Sequence, residues 1–357
     1  MRDLPNQVHF KQMGSFIRSG KIQIEPEPRA SGTQWIRMDA DLIAMKRITL
    51  PNTNLVVSQL AYGTASYDGT FPDADGLKLF AKYLESGGNF IDTAHCYCFW
   101  VPGGEGASER FVAKAVREFG RDGLVIATKG GHIGMNGYPR PDSFLDPVLV
   151  DKDFAESLER LGLPSVDIYY LHRDDPRVPA EEIIESLNDH VKAGRTRYLG
   201  ASNWSVARTL TANAHAVRNG LQPFVVLQNQ WSLAQPNPFD ITSPGAIRYI
   251  ERSELEALEA NQIPVVPFSP TANGYFATDG ARGGHYESPE NRRRLLAVQA
   301  LAAKHGATTN QIALAYLINQ PFPVIPILGT LNLDHLEDAI GAPSIELTTD
   351  ELRLLDS

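Results

Sequence analysis

Short, nearly continuous apolar runs recur along the chain from about Lys46 onward, and each run ends at polar or small residues. Eight such runs end near Gly63, Asp92, Lys129, His172, Ser202, Gln228, Ser269 and Gly329, about 38 residues apart on average. A continuous apolar run is typical of a parallel strand that is buried on both faces, whereas alternation is typical of a strand with one wet face. The pattern therefore predicts a parallel sheet.

Between these runs the apolar residues repeat with helical spacing. Leu77, Phe80, Ala81 and Leu84 fall at i, i+3, i+4 and i+7, and Gly87 follows as a stop signal. Similar patterns ending in glycine lie between several of the later runs. Strands and helices thus alternate along the chain, which indicates the α/β class.

Eight strand–helix units favour a (β/α)8 TIM barrel over residues 46–357. A doubly wound sheet is the alternative, but no Gly-x-Gly-x-x-Gly follows the first strand, and the number of strands suits barrel closure. Residues 1–45 lack this periodicity and contain Glu25-Pro26-Glu27-Pro28. We predict an N-terminal extension there, which either wraps the surface, joins a partner or is partly disordered.

Composition narrows the class of protein. A formal net charge of −9 disfavours a binder of nucleic-acid backbones, which needs a basic face. No apolar run approaches the ~20 residues of a membrane helix, and residues 1–12 do not resemble a secretory signal, so a cytoplasmic location is expected. The two cysteines, Cys96 and Cys98, cannot form a disulfide framework and cannot alone supply four metal ligands, so no metal is expected.

Four residues with useful chemistry lie at or just beyond the ends of successive runs. Asp92, Lys129 and His172 close the second, third and fourth runs, and Tyr97 follows in the loop after the second. In a (β/α)8 barrel the loops at the carboxyl ends of the strands gather at one face. We therefore expect the four side chains to converge in one site.

Their chemistry is that of a general acid. A tyrosine hydroxyl has a pKa of about 10, and a nearby lysine ammonium is expected to lower the pKa of Tyr97. Asp92 would keep a buried Lys129 charged, and His172 can donate a hydrogen bond to a substrate oxygen. Such a set suits an oxygen that gains negative charge, as in hydride delivery to a carbonyl carbon, which requires a cofactor.

Seven ordered motifs lie along residues 46–355. They are Phe90-Ile91-Asp92-Thr93-Ala94 with Tyr97, Ala127-Thr128-Lys129, Tyr170-Leu171-His172-Arg173, Gly200-Ala201-Ser202-Asn203, Gln228-Asn229-Gln230-Trp231-Ser232, Pro267-Phe268-Ser269-Pro270 and Pro326-Ile327-Leu328-Gly329-Thr330. Together they resemble the aldo-keto reductase family. The resemblance implies a barrel that binds a nicotinamide dinucleotide, with Tyr97 as general acid, Lys129 and Asp92 tuning its pKa, and His172 orienting a carbonyl.

The resemblance also implies cofactor contacts. Ser202, Asn203 and Gln228 match positions that hydrogen-bond the nicotinamide carboxamide, and Trp231 takes the place of the aromatic that stacks on the nicotinamide ring. The other matched positions are Ser269 near the pyrophosphate, and Gly329, Thr330 and Asp338 at the adenosine end. Taken singly, the three polar residues are also compatible with plain caps of strand ends.

The cofactor's last phosphate is the main departure from the family pattern. The family usually carries lysine or arginine near Gly329, Leu331 and His335, where it meets the 2′-phosphate of NADP. A phosphate without a cationic partner binds less well. The family therefore favours NADPH, whereas these residues favour NADH or the use of both.

The substrate is expected to be a small carbonyl or alcohol compound. Phe99 and Trp100 in the second loop suggest an aromatic or sugar ring, although the two side chains are equally compatible with packing of their own loop. A regulatory or scaffold barrel that binds cofactor with little turnover is the alternative. A metal-dependent hydrolase using His172, Asp174 and Asp175 lacks further histidines at strand ends.

Overall fold

The computed structural model describes residues 45–238 and 242–356. The predicted extension, apart from Met45, lies outside the described residues. Within those ranges the strands are β1 (Arg47–Thr49), β2 (Val56–Ser58), β3 (Ala61–Gly63), β4 (Phe90–Asp92), β5 (Val125–Gly130), β6 (Val166–Leu171), β7 (Thr196–Ser202), β8 (Phe224–Gln228) and β9 (Ile327–Leu328). The helices are α1 (Asp73–Glu85), α2 (Ala107–Phe119), α3 (Pro147–Leu161), α4 (Ala180–Lys192), α5 (Val206–Arg218), α6 (Arg252–Asn261), α7 (Pro289–His305), α8 (Thr309–Ile318), α9 (Leu333–Ile340) and α10 (Thr349–Asp356).

Seven of the strands form one parallel sheet in the order β8-β7-β6-β5-β4-β3-β9. Its register places Gly63 opposite Asp92, and Ser202 opposite Gln228, so the polar ends of the predicted runs lie at one edge. The helices between the strands pack on the outer face of the sheet, as expected for (β/α) units. The (β/α)8 fold class predicted from the sequence is confirmed.

The seventh predicted strand, which ends near Ser269, forms isolated bridges instead of a continuous ladder. Val265 bridges Leu227 on one side and Val324 on the other, so this segment joins the two edge strands of the sheet. Proline lacks an N–H and cannot donate in a ladder. Pro264 and Pro267 flank the bridging residue, which explains why the segment closes the barrel without becoming a regular strand.

Each sheet strand contributes to two apolar cores. In β4, Phe90 belongs to the cluster inside the barrel and Ile91 to the cluster between sheet and helices. In β5, Val125 likewise packs inside and Ile126 outside. Successive strand residues point to opposite faces, so a strand covered on both faces must be apolar throughout.

The β1–β2 hairpin was not predicted from the sequence. Its strands pair in antiparallel fashion, and Leu50, Leu55 and Val57 belong to the cluster inside the barrel. The hairpin therefore covers the amino end of the barrel and leaves the carboxyl end for the site. Among the described residues no helix is both long enough and apolar enough to cross a lipid bilayer.

Candidate active site

The four predicted catalytic residues meet at the carboxyl end of the barrel. Asp92 is the last residue of β4, Lys129 lies near the end of β5, and His172 directly follows β6. These strands are neighbours in the sheet. Tyr97 lies in the loop after β4, which returns its side chain to the same edge.

Lys129 is the centre of the cluster. Its Nζ donates to Asp92 Oδ2 at 2.7 Å, to the Thr93 carbonyl at 2.8 Å and to the Tyr97 hydroxyl at 2.8 Å. An ammonium has three protons, so these contacts use all of its donors. The Lys129 side chain is completely buried, and the geometry holds its charge against the phenol oxygen.

Asp92 is paired on both oxygens. While Oδ2 accepts from Lys129, Oδ1 accepts from Gln228 Nε2 at 2.8 Å. A buried carboxylate needs such donors to offset its loss of hydration. The Gln228 amide, predicted as a partner of a nicotinamide carboxamide, thus helps to hold the carboxylate that fixes Lys129.

The pKa of Tyr97 differs from the sequence expectation. Burial raises it well above its ordinary value, the charge of Asp92 raises it further, and the charge of Arg173 lowers it. Burial also lowers the pKa of Lys129, which Asp92 counteracts. Desolvation of the phenolate is the largest of these effects, so Tyr97 is a protonated phenol at neutral pH, which suits a proton donor.

His172 faces both the phenol and a thiol. Its ring centroid lies 5.7 Å from that of Tyr97, and its Nδ1 lies 3.5 Å from Cys96 Sγ. Burial, followed by the charges of His132 and Lys129, lowers the pKa of His172 well below its ordinary value. The imidazole is therefore neutral at neutral pH, and with Nδ1 against the thiol its Nε2 is available to a ligand.

A group of metal-type donors lies beside this histidine and was missed by sequence reasoning. Cys96, His132 and His172 place potential ligand atoms within 4.8 Å of one another. These are zinc-type ligands, but the charges of Lys129 and Arg173 act on the cysteine and on His172. A cation placed there would be repelled, so we assign no metal role to the group.

The acids of the alternative metal-hydrolase prediction are paired elsewhere. Asp174 Oδ1 accepts from Arg208 Nε at 2.9 Å, and Asp175 Oδ2 accepts from Arg177 Nη2 at 2.7 Å. Neither acid belongs to the group of possible metal ligands found among the described residues. The contacts indicate that both acids organise the loop after β6.

Buried neutral histidines make stability depend on pH. Burial lowers the pKa of His132 to about 4. The pKa of a histidine in the unfolded chain is about 6.5. As the pH falls below that pKa, the histidine binds a proton in the unfolded chain but stays neutral in the native protein, so stability present at pH 7.5 is lost. We expect His132→Gln to reduce the loss of unfolding free energy between pH 7.5 and pH 5, measured by urea denaturation, by about 2 kcal/mol. An identical loss in wild type and variant would contradict this.

The end of β7 carries two of the predicted cofactor residues. Ser202 and Asn203 are buried, and Asn203 has a φ of 61°, in the left-handed region. Asn203 Nδ2 donates to the His172 carbonyl at 3.0 Å and to Ser202 Oγ at 3.1 Å, while its Oδ1 accepts from the backbone of Arg248. The Asn203 amide thus ties the loop after β6 to that after β7.

Phe268, and not Trp231, is the aromatic at the mouth of the barrel. Trp231 is only 3% exposed, and its ring is parallel to that of Phe322 at 6.0 Å and edge-on to Tyr316. Phe268 is half-buried at the end of the bridging segment and packs against the interior cluster. Its position before Ser269, at the end of an apolar run, was the sequence signal that the prediction passed over.

The loop after Phe268 has an unusual backbone. Ser269, Ala272 and Asn273 have φ values of 53°, 49° and 55°. Residues other than glycine rarely adopt the left-handed region, and such strain clusters at binding loops. Ser269, which is predicted to lie near a bound pyrophosphate, is therefore part of a strained loop at the barrel rim.

The residues predicted at the adenosine end of the cofactor differ in exposure and in their hydrogen bonds. Gly329 is exposed, and Thr330 Oγ1 accepts from the backbone of Asn332 at 3.0 Å. Asp338 accepts from Thr308 Oγ1 and Asn310 Nδ2, both at 2.7 Å. Both Asp338 oxygens are thus engaged at the start of α8, and contact of Asp338 with the adenosine end of a cofactor stays a prediction.

The two aromatic residues of the second loop are placed differently. Phe99 packs edge-on against Tyr138, with centroids 4.9 Å apart, and lies near His95. Trp100 is 46% exposed, and its ring lies 6.4 Å from that of Tyr97. Phe99 therefore packs its own loop against the loop after β5, whereas Trp100 presents an aromatic ring beside the phenol.

Comparison with known proteins shows the family of the chain. The sequence profile of the Aldo/keto reductase family matches residues 59–357. The chain is 30% identical over 324 residues to a probable aldo-keto reductase 1 of Glycine max, covering 86% of each protein, and 29% identical over 340 residues to norsolorinic acid reductase A of Aspergillus parasiticus, covering 88% of this chain and 81% of the relative.

A similar fold is found among solved structures. The thermostable aldo-keto reductase Tm1743, crystallised with the inhibitor epalrestat, superposes with a TM-score of 0.67 and 24% identity, covering 87% of this chain and 99% of its own. The family profile extends over most of the chain and includes all four residues of the cluster around Lys129. The protein therefore belongs to the aldo-keto reductase family of oxidoreductases.

Proposed function

We propose that the protein transfers hydride between a nicotinamide dinucleotide and a small carbonyl or alcohol compound, with Tyr97 as the general acid. The observation that carries the proposal is the Lys129 ammonium, which contacts Asp92 and the Tyr97 hydroxyl at the same time. Family membership supports the redox class, and the name of the norsolorinic acid reductases supports the reducing direction.

Each residue of the cluster has a separate task in reduction. A bound dinucleotide would supply the hydride. His172 Nε2–H holds the carbonyl oxygen, and Tyr97 donates its proton to that oxygen as negative charge develops. Lys129, 2.8 Å from the phenol oxygen, stabilises the resulting phenolate. In the oxidising direction the same phenolate takes the proton back from an alcohol.

The rim of the barrel offers a place for the dinucleotide. Ser202 ends β7 and Phe268 ends the bridging segment, with β8 between them. There Ser202 can hydrogen-bond a carboxamide and Phe268 can pack on the nicotinamide ring. The strained loop from Ser269 to Asn273 would approach the pyrophosphate. Trp100 supports a substrate with an aromatic or sugar ring, because its exposed face lies beside Tyr97.

We infer that NADH is used at least as well as NADPH. Leu331 and His335 replace the basic residues of the family, and Asp334 places a negative charge in the first turn of α9. That charge would repel a 2′-phosphate. We expect Leu331→Arg to raise kcat/KM for NADPH at least roughly tenfold and to change that for NADH by less than about threefold.

Leu296→Arg is the matched control for this cofactor prediction. It adds the same charge at an exposed leucine of α7 and should leave both values unchanged. Both coenzymes would be compared at saturating substrate. A wild-type enzyme with a strong preference for NADPH would contradict the assignment and would require a basic residue elsewhere.

The overall proposal is tested by binding followed by turnover. Dinucleotide binding is measured by quenching of tryptophan fluorescence, and a panel of aldehydes, ketones and sugars is then assayed with both coenzymes. We expect binding and turnover together. Tight binding without turnover on any substrate would instead support the regulatory barrel, and the absence of binding would remove both hypotheses.

A further inference from the structure

A cation without a partner lies next to the catalytic cluster. Arg173 follows His172 at the carboxyl end of β6, and its Nε and Nη1 are buried without a hydrogen-bond partner. The other arginines of this loop region are paired, Arg208 with Asp174 and Arg177 with Asp175. No described carboxylate forms an ion pair with Arg173 within the ranges 45–238 and 242–356.

The charge of Arg173 acts on the working groups of the site. It affects the pKa of Tyr97 and that of Cys96, lowering both, and it also lowers the pKa of His132 and His172. Lys129 is matched by Asp92, so this neighbouring ion pair adds little net charge. The site therefore carries one positive charge that the described part of the chain does not balance.

A structural role would leave a different pattern of contacts. Arg208 shows it: Nε binds a carboxylate, and Nη2 donates to two backbone carbonyls of the loop after β6. Arg173 makes no comparable contacts through Nε and Nη1, although both of these atoms are shielded from water. Burying an unpaired charge is unfavourable, and an anion that completes the pair removes that cost.

The sign of the site also separates two kinds of ligand. By distance alone, a soft metal ion could bind the ligand atoms of Cys96, His132 and His172. The positive charge of Arg173 would repel such a cation. An anion is favoured by the same charge. A guanidinium pairs best with a planar carboxylate, which it can bind through two parallel hydrogen bonds.

We propose that Arg173 recognises a carboxylate carried by the substrate, so that the reacting compound is an oxo acid or hydroxy acid with its carboxylate within a few bonds of the reacting carbon. The proposal rests on the proposed function for the reaction itself. Arg173 directly follows His172, which holds the carbonyl oxygen, and its charge acts on both His172 and Tyr97, so we infer a short separation. Partial exposure of the residue leaves a ligand able to reach it.

The kinetic test uses formyl acids and their methyl esters, which differ in charge but little in shape. Glyoxylate, succinate semialdehyde and 4-carboxybenzaldehyde, each with its ester, span three separations of carbonyl and carboxylate. We expect wild type to prefer at least one acid over its ester, and Arg173→Met to lower that acid-to-ester ratio of kcat/KM at least about tenfold, chiefly through KM. Arg173→Lys should retain part of the preference.

Arg177→Met is the matched control, because Arg177 is a half-exposed arginine on the same loop whose partners are Asp142 and Asp175. It should keep the wild-type ratio. The proposal is overturned if wild type shows no preference for any acid, or if Arg173→Met preserves the preference. It is also overturned if Arg173→Met weakens dinucleotide binding about tenfold, since the guanidinium would then serve a cofactor phosphate.

A binding measurement separates this inference from the proposed reaction. If no aldehyde of the series is reduced, the proposed function fails. Calorimetric titration of the dinucleotide-bound protein with benzoate and with benzamide then tests Arg173 alone. Benzoate is expected to bind wild type at least about tenfold more tightly than Arg173→Met, with no such difference for benzamide. Equal binding of benzoate to both proteins would overturn the carboxylate site.

Discussion

Replacing Tyr97 with phenylalanine is expected to lower kcat by about 10²–10⁴-fold while changing the dissociation constant of the dinucleotide by less than about threefold. The phenol is the group that can hand a proton to a substrate oxygen at this position, and its high pKa keeps that proton in place at neutral pH. Phenylalanine preserves the ring packing against His172 and Trp100 but removes the hydroxyl. Steady-state kinetics and fluorescence titration measure the two quantities.

Tyr198→Phe is the control for this loss. Its hydroxyl contacts Asn54 at the amino end of the barrel, away from the carboxyl end where the cluster lies. We expect unchanged turnover in this variant. If Tyr97→Phe kept wild-type turnover while folded and able to bind cofactor, the assignment of Tyr97 as the proton donor would be wrong.

Replacing Lys129 with methionine is expected to reduce both activity and stability. Methionine is close to lysine in shape but leaves the buried Asp92 without its ionic partner, while Gln228 still donates to the other carboxylate oxygen. Breaking a buried ion pair from one side costs about 3–5 kcal/mol, which we expect in the free energy of unfolding measured with urea. Loss of phenolate stabilisation should lower kcat at least about 10²-fold.

A double variant separates the two effects. Removing both charges in Lys129→Met/Asp92→Leu should recover much of the stability, because the unpaired buried carboxylate is gone, but it should not recover turnover. Lys82→Met, which breaks the half-exposed pair with Glu337, should cost less than about 1 kcal/mol. Recovery of activity in the double variant would contradict a role for the ammonium in stabilising the phenolate.

The cluster suggests why Tyr97 needs Lys129 although its resting pKa is high. In the free protein, burial penalises the phenolate and keeps the pKa of Tyr97 well above its ordinary value. During proton transfer, however, the phenolate must exist at least transiently, and the fixed ammonium at 2.8 Å is the charge that meets it. The arrangement therefore places a phenol with a high pKa beside the ammonium that stabilises its phenolate.

Arg173 extends this electrostatic picture to the substrate. The charge of Arg173 lowers the pKa of Tyr97. A carboxylate bound to the guanidinium would neutralise that charge and make Tyr97 harder to ionise. Charged and neutral substrates are therefore expected to differ in pH profile as well as in KM.

Much of the fold could be predicted from the chain because strands buried on both faces must be apolar throughout. The ends of those runs located Asp92, Lys129 and His172 at one edge, and the structure brings them together. The run from 263 to 268 also closes the barrel as expected, but its prolines prevent a regular ladder. The β1–β2 hairpin escaped prediction because β1, Arg-Ile-Thr, is mostly exposed and does not form a continuous apolar run.

Contacts between residues far apart in the chain escaped prediction for a different reason. Trp231 and Phe268 are both aromatic residues beyond strand ends, and only packing shows that the first is enclosed by other rings while the second faces the barrel mouth. Asp338 likewise has a suitable side chain for a ligand, yet both its oxygens are used at the start of α8.

The sequence by itself determined the alternation of strands and helices, the barrel class and the identity of the four residues that share the carboxyl end. These follow from local pattern, since residue periodicity sets which faces are buried. The tertiary structure decided the pKa of Tyr97, the double pairing of Asp92 and the isolation of Arg173. Those properties depend on desolvation and on distances between separate strands, which no local stretch of sequence contains.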